Sequence, residues 1–263
     1  MAAIITLLTD FGLRDPYVGV MKGAIATLAP TATVIDLTHG IAPQDVAAAR
    51  FALLSAYPYF PCGTVHTVVV DPGVGTARRA IALATDHAYF VGPDNGVLSG
   101  VMAQVTVQGA VALENSHYWR TPHPSQTFHG RDIFAPVAAH LAVGVPIAAL
   151  GPAIAPDTLV SLPWAPPHPQ GQDWLGHIQA IDHFGNLITN LTAPFPGGTV
   201  EVLIGRETLP LHLTYGTVAR GQPVAIVGSH GWVEIAVNGG SAQAHYQAQV
   251  GTPVRLRPAA PPG

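Results

Sequence analysis

The sequence predicts an α/β protein with a mostly parallel central sheet in an N-terminal domain, residues 1–162, and a smaller antiparallel β-barrel in a C-terminal domain, residues 175–263. Three observations lead there. Over the first part of the chain, apolar and β-branched runs alternate with segments of helical period, as in βαβ units. The last part holds short strand-like runs separated by turn residues, the pattern of a small barrel or sandwich. Between them, Pro163, Pro166, Pro167 and Pro169 fall in a stretch of little apolar periodicity, residues 163–174, which reads as a linker.

In chain order, the first domain is expected to place strands at Ile4 to Leu8, Thr33 to Leu37, Val65 to Val70, Ala80 to Ala84 and Ala88 to Val91. Helical spacing runs through Tyr17 to Leu28 and Gln44 to Ser55, with Pro43 suited to a helix start. A later helix, near Ile133 to Leu141, follows His129. In the second domain, strands are expected at Gly176 to Ile181, Leu187 to Asn190, Thr199 to Ile204, Leu209 to Leu213, Pro223 to Val227, Trp232 to Val237 and Thr252 to Leu256.

Of the 263 residues, 10% are charged and 48% hydrophobic, a lean charge content that leads us to expect apolar surface covered by another subunit. The formal net charge is −4 and the 11 basic residues are scattered, so neither nucleic acid nor an anionic membrane is an expected partner. Cys62 has no second cysteine to pair with, and Pro61 and Gly63 suggest a turn rather than a nucleophile's setting. Met1 to Asp10 lacks the basic region and apolar length of a signal peptide and reads as a first strand. The apolar stretch from Leu141 to Ile154 is broken by Gly144, Pro146, Gly151 and Pro152, so no membrane span is expected and a cytoplasmic location follows. The 13 histidines form no His/Cys cluster of zinc spacing.

The most informative segment is Val68-Val69-Val70-Asp71-Pro72-Gly73-Val74-Gly75-Thr76-Ala77-Arg78-Arg79, a β-branched run that ends in a carboxylate and a glycine-rich turn. Ligands of open α/β sheets bind beyond the carboxyl ends of the strands, which is where Asp71 would stand. Pro72, Gly73 and Gly75 would fold the backbone tightly and return Arg78 toward it. Asp10 ends the first strand in Leu7-Leu8-Thr9-Asp10-Phe11-Gly12, where it could also cap a helix starting near Pro16. Pro93-Asp94-Asn95-Gly96 is read as an ordinary turn. Asp10-Phe11-Gly12 and His129-Gly130-Arg131-Asp132 share letters with kinase motifs, but the Gly-rich loop and strand lysine of a kinase are missing upstream.

Together with Pro124-Ser125-Gln126-Thr127-Phe128-His129-Gly130-Arg131-Asp132-Ile133-Phe134, these segments resemble the S-adenosylmethionine hydroxide adenosyltransferases, hydrolytic relatives of the fluorinating and chlorinating enzymes. The resemblance runs nearly the whole chain, through Asp36-Leu37-Thr38-His39, Tyr59-Phe60-Pro61-Cys62-Gly63-Thr64-Val65, Gly92-Pro93-Asp94-Asn95-Gly96, Asp182-His183-Phe184-Gly185-Asn186 and Val233-Glu234-Ile235-Ala236-Val237-Asn238. Several motifs in the right order are far more specific than any one of them.

The resemblance implies hydrolysis of S-adenosyl-L-methionine to adenosine and L-methionine, with water or hydroxide substituting at ribose C5′. It makes Asp71, Arg78 and His129 the group that holds the nucleophile, where the halogenating relatives have a tyrosine in place of Asp71 and a serine in place of His129. Asp10 would receive the ribose hydroxyls, a role a carboxylate suits because it can accept from both at once. In the second domain, the resemblance assigns Asp182 to the methionine ammonium, Asn186 to the adenine edge, Tyr215 to stacking on adenine and Ser229 to the methionine carboxylate. His230 stands where the halogenases have arginine, and Gln44 where they have tryptophan. No metal or cofactor is implied, with S-adenosyl-L-methionine as the small-molecule substrate. A homotrimer with each site between the first domain of one subunit and the second of its neighbour is implied.

Two other readings fit the residues. Asp10, Asp71, Asp94 and His129 at strand ends could serve a metal-dependent phosphoester or nucleotide hydrolase. A nucleoside or S-adenosylmethionine sensor would bind without turnover. Whether Asp71 orients Arg78, hydrogen-bonds the water or accepts its proton stays open at this level.

Overall fold

The computed structural model describes residues 3–163, 165–192 and 200–258. Met1, Ala2, Trp164 and Thr199, on which parts of the sequence reading fall, lie outside the described residues. The chain divides into two compact units, Met1–Leu162 and Pro163–Gly263.

The first unit runs β1 (Ile4–Thr9), α1 (Tyr17–Leu28), β2 (Thr33–Thr38), α2 (Val46–Ala56), β3 (Thr64–Val69), β4 (Ala80–Ala84), β5 (Ala88–Pro93), α3 (Ser99–Met102), β6 (Gly109–Ala112) and α4 (Ala135–Ala142). Its sheet has the order β2-β1-β3-β5-β4-β6. The first four strands in that order are parallel, whereas β4 runs antiparallel to both β5 and β6. Only residues 85–87 join β4 to β5, too few for a crossover, so these two strands form a hairpin rather than a βαβ unit. The sequence reading did not anticipate β6, whose Gly-Ala-Val-Ala run is too short to show a period.

The chain leaves β1 for β2 on one side and returns to β3 on the other. Right-handed crossovers then place α1 and α2 on opposite faces and open a crevice between the carboxyl ends of β1 and β3. Thr9 pairs in register with Val69, so the two strands end level, with Asp10 one residue and Asp71 two residues beyond the last pair. On one face, Ile5, Leu7, Val65 and Val69 pack with Met21 and Ile25 of α1 and with Val137, Ala138 and Leu141 of α4. The α2 helix starts where Asp45 accepts from the Ala48 amide at 2.9 Å, a side-chain N-cap.

By the alternation of β3, His66 points to the other face. It is fully buried, stacks on Phe90 at 5.1 Å and meets Thr6 Oγ1 through Nδ1 at 2.8 Å.

The second unit runs β7 (His168–Gln170), β8 (Asp173–Ile181), β9 (Leu187–Thr192), β10 (Val200–Ile204), β11 (Glu207–His212), β12 (Pro223–Val227), β13 (Trp232–Val237), α5 (Ala242–Tyr246) and β14 (Pro253–Pro258). The order β14-β10-β11-β12-β13-β9-β8-β7 closes through a β14–β8 pairing, leaving only β7 outside the ring. Closure removes exposed sheet edges, and Ile178, Val202, Ile235 and Val254 fill the interior. The Pro-rich stretch expected as a linker contributes β7, which pairs with β8 across a turn where Gly171 adopts a φ of 64°. No helix among the described residues is long and apolar enough to cross a membrane.

Burial holds the His66 imidazole down at about 4. In the unfolded chain the same ring protonates near 6.5, so between those values the unfolded state binds the extra proton and stability falls as pH drops. A loss of about 3 kcal/mol is expected between pH 6.5 and pH 4 from this residue. Denaturant titrations at pH 7 and pH 4.5 should give a clearly smaller acid loss in His66→Phe than in the wild type, and equal losses would refute the assignment.

Candidate active site

A cavity of about 330 Å³ opens at the carboxyl ends of β1 and β3, with Asp10, Gln44, Asp71, Phe128 and His129 in its wall. Asp10 does not cap α1, which begins after Pro16 with no side-chain cap. Instead its Oδ2 accepts from the Gln44 amide at 2.8 Å. Gln44 holds a left-handed φ of 68°, a conformation costing a non-glycine residue about 1 kcal/mol. That strain sits where the backbone must turn its N–H toward the carboxylate. Beneath the loop, Thr9 Oγ1 accepts from the Phe11 amide at 3.2 Å and meets His39 Nδ1 at 2.8 Å, while the His39 carbonyl accepts from the Gly12 amide. His39 Nε2 lies 3.0 Å from Asp36, whose other oxygen accepts from Lys22.

The turn after β3 brings Asp71 and Arg78 together. Gly75 has a φ of 75°, and a Cβ there would run into the Gln126 carbonyl, so the turn nests against the segment that carries His129. A Cβ at Gly73 would lie 3.1 Å from Arg78 Cγ, which leaves the bare glycine as the surface over which Arg78 folds back. Arg78 Nε donates to both Asp71 oxygens, at 2.9 and 3.1 Å, and Nη2 donates to Oδ2. Nη2 also meets His129 Nδ1 at 2.7 Å. The Arg78 and Asp71 side chains are 10% and 5% exposed, and the guanidinium lies over the Phe134 ring at 5.3 Å. Asp71 and His129 line the cavity and Arg78 does not, which makes Arg78 the group that positions the other two.

A guanidinium has no acceptor, so His129 Nδ1 takes the hydrogen bond with its lone pair and the ring proton sits on Nε2. Burial, then the charge of Arg78, pushes the imidazole below its ordinary value against the opposing pull of Asp71 and Asp132. His129 is therefore neutral near pH 7 and is a hydrogen-bond donor at Nε2.

Asp132 anchors the His129 segment, and the sequence reading did not single it out. Its side chain is fully buried and accepts from Arg120 Nε, Arg131 Nε and Arg131 Nη2, each at 2.7 Å, and from the Ser125 amide at 2.8 Å. Burial opposes ionisation, but the two arginines and the amide outweigh it and hold the carboxyl well below the usual range. A π-helical turn, Gly130–Phe134, then leads into α4. The adjacent Arg131-Asp132 pair was the one local signal available in the sequence.

In the second unit, the turn after β8 is organised by Asp182. Its Oδ1 accepts from the Phe184 and Asn186 amides at 2.9 and 2.8 Å, and its Oδ2 accepts from Asn186 Nδ2 at 2.9 Å. Asn186 and Tyr215 share the wall of a cavity of about 410 Å³ with Phe184 and Val237. Ser229 is exposed on the turn between β12 and β13 and does not line that cavity.

Asp94 and Asn95 do form a structural turn: Asp94 accepts from Arg79 and the Val160 amide, and Asn95 Nδ2 donates to the Val70 carbonyl. Cys62 is exposed in a turn, and its Sγ lies 3.3 Å from His87 Nδ1, a neighbour from a distant turn that the sequence reading missed. Among the described residues, no group of three or more His, Cys, Asp or Glu side chains is placed to hold a metal ion.

Replacing Asp132 with asparagine removes the negative charge that two partly exposed arginines share, a change expected to cost about 1.5–3 kcal/mol at pH 7. Because its folded value is depressed, the contribution of Asp132 is full above the unfolded value near 4 and is lost as pH falls below it. Melting curves should accordingly show a wide gap between wild type and Asp132→Asn at pH 7 that narrows below pH 4. A gap independent of pH would contradict this assignment.

The chain matches the family model for the N-terminal domain of SAM hydroxide adenosyltransferases over residues 5–151 and that for the C-terminal domain over residues 176–255. It is 45% identical over 259 residues to an (R)-S-adenosyl-L-methionine hydrolase of Thermus thermophilus, covering 95% of this chain and 97% of that one. A fluorinase of an Actinoplanes species is 28% identical over 294 residues, covering 96% and 97% of the two chains. Among solved structures, an uncharacterized conserved protein from Thermotoga maritima superposes with a TM-score of 0.89 at 38% identity, covering 96% of this chain and 99% of that one.

Proposed function

From the premise that this chain belongs to the SAM hydroxide adenosyltransferase family, we propose that it hydrolyses S-adenosyl-L-methionine to adenosine and L-methionine. The observation that carries the reading is the Asp71–Arg78–His129 network, with two of its members in the wall of the cavity that also holds Asp10. The relatives' name specifies the (R) form of the substrate, and we extend that preference to this chain.

In the reaction, a water oxygen forms a bond to ribose C5′ while the C5′–S bond breaks. The electron pair of that bond stays on sulfur, which leaves as the neutral thioether of methionine, and one water proton is released. The sulfonium is already a good leaving group, so the reaction asks for no acid to protonate it and no Lewis acid to polarise it. The protein's task is to hold one water in line with the C–S bond and to stabilise its hydroxide-like character. His129 suits the first part, because its Nε2–H can donate to the water oxygen. Asp71 is left as the only acceptor of the three. Its carboxylate can hydrogen-bond the water or take its proton, while Arg78 holds that carboxylate in place through its Nε and Nη2 donors.

Asp10 would receive the ribose diol through the acceptor capacity left beside the Gln44 amide. Asn186 and Tyr215, in the second cavity, are assigned to the adenine, with Asp182 for the ammonium and Ser229 for the carboxylate of the methionine half. We propose no cofactor, a cytoplasmic setting, and a homotrimer in which each site combines residues of two subunits.

Asp71→Ala and His129→Ala should each lower adenosine formation by about a hundredfold or more while changing adenosine affinity by less than about tenfold, since both contact the nucleophile. Chromatography of the products and calorimetry of binding check this, and equal losses in both would contradict it. For the shared site, mixing Asp71→Ala with Asn186→Ala protein under subunit exchange should restore part of the activity. If subunits exchange and nothing returns, each chain builds its own site.

A further inference from the structure

Glu234 sits in β13 with 4% of its surface exposed, and no step of the reaction proposed above uses it. A carboxylate so buried is costly unless donors hold it. Its two oxygens face residues from two different loops. Tyr215 Oη donates to Oε1 at 2.6 Å, and Oε2 lies 3.4 Å from His230 Nε2. The Trp232 amide donates to His230 Nδ1 at 3.2 Å, which puts the ring proton on Nε2, on the side of Glu234. Gly228 makes this approach possible, because a Cβ there would come within 2.7 Å of His230 Nε2 and 2.8 Å of Glu234 Oε2.

Tyr215 opens a short 3-10 turn, Tyr215–Thr217, is 41% exposed, and lines the cavity beside Asn186. An aromatic side chain on such a turn is a well-defined stacking surface only if its far end is fixed. The phenol is fixed by the carboxylate, and burial together with that hydrogen bond raises its ionisation well above the ordinary value, so it remains a donor. The turn carrying Ser229 and His230 lies against the same carboxylate from the other side, with His230 Nε2 3.4 Å from Oε2.

We infer that Glu234 is the positioning residue of the adenosyl-binding half-site, holding the Tyr215 ring as a fixed face for a purine beside the Ser229–His230 turn that packs on the same buried carboxylate. The inference rests on the functional reading above. It adds a residue which does not line the cavity but sets how tightly the ligand is held. Substrate orientation would then depend on a buried acid that never touches the substrate.

Adenosine affinity by calorimetry, and KM and kcat from adenosine formation, distinguish this role from a purely structural one when measured on Tyr215→Phe, Glu234→Gln, Glu234→Ala and the double variant. Tyr215→Phe keeps the ring and loses only the anchor, and it should weaken adenosine about five- to tenfold. Glu234→Gln retains an acceptor oxygen for the phenol and should stay within about threefold of the wild type, while Glu234→Ala should lose tenfold or more. The loss should fall on adenosine affinity and KM more than on kcat, and the double variant should bind no more weakly than Glu234→Ala, because both changes remove one interaction. If Glu234→Ala does not fold, as judged by its melting curve, Tyr215→Phe and Glu234→Gln decide alone. Wild-type-like binding by Tyr215→Phe, or losses that multiply in the double variant, would overturn the inference. Failure of the wild type to bind adenosine and S-adenosylmethionine would instead overturn the functional reading on which it rests.

Discussion

The guanidinium of Arg78 is shared between a carboxylate seven positions before it and an imidazole 51 positions after it, and the chemistry of the first cavity depends on that sharing. A guanidinium stays charged across the working pH range and only donates. It therefore fixes the Asp71 carboxylate with two of its nitrogens and forces the proton of His129 onto Nε2. Both wall residues acquire their chemical character from a third that does not reach the cavity. The turn glycines serve the same end, since Gly73 lets Arg78 fold back and Gly75 lets the turn seat against the Gln126 carbonyl.

A recurrent device organises the rest of the protein: a carboxylate with several donors that fixes a loop. Asp132 gathers two arginines and an amide to hold the His129 segment, Asp182 gathers two amides and Asn186 to shape the turn after β8, and Glu234 accepts from the Tyr215 phenol with His230 packed beside it. Buried polar groups satisfied in this way are rigid, because each lost contact leaves a desolvated charge. His66 is the apolar-face counterpart, a polar ring kept neutral by its burial in the centre of a parallel sheet.

Each unit supplies what its loops need. In the first, parallel β1 and β3 end in register at a topological switch point, so Asp10 and Asp71 stand together without any direct bond between them. In the second, a closed barrel with no free sheet edge in its ring carries the turns that hold Asp182, Tyr215 and Ser229.

Long apolar runs and helical periods made β1, α1, β3 and β12 legible from the sequence, because burial on a regular element leaves a period in the residues. Asp10 and Asp71 were legible as strand-end carboxylates and Arg78 as a residue returned by a glycine-rich turn, whereas His129 was picked out by the resemblance of its segment to the family. Short elements such as β6, β7 and α5 left no period, and the antiparallel course of β4 followed only from how few residues connect it to β5. The roles of Asp132 and Glu234, the tautomer of His129 and the exclusion of Arg78 from the cavity wall came from the tertiary structure alone. Each depends on which distant side chain completes a hydrogen bond, and neither periodicity nor spacing encodes that pairing.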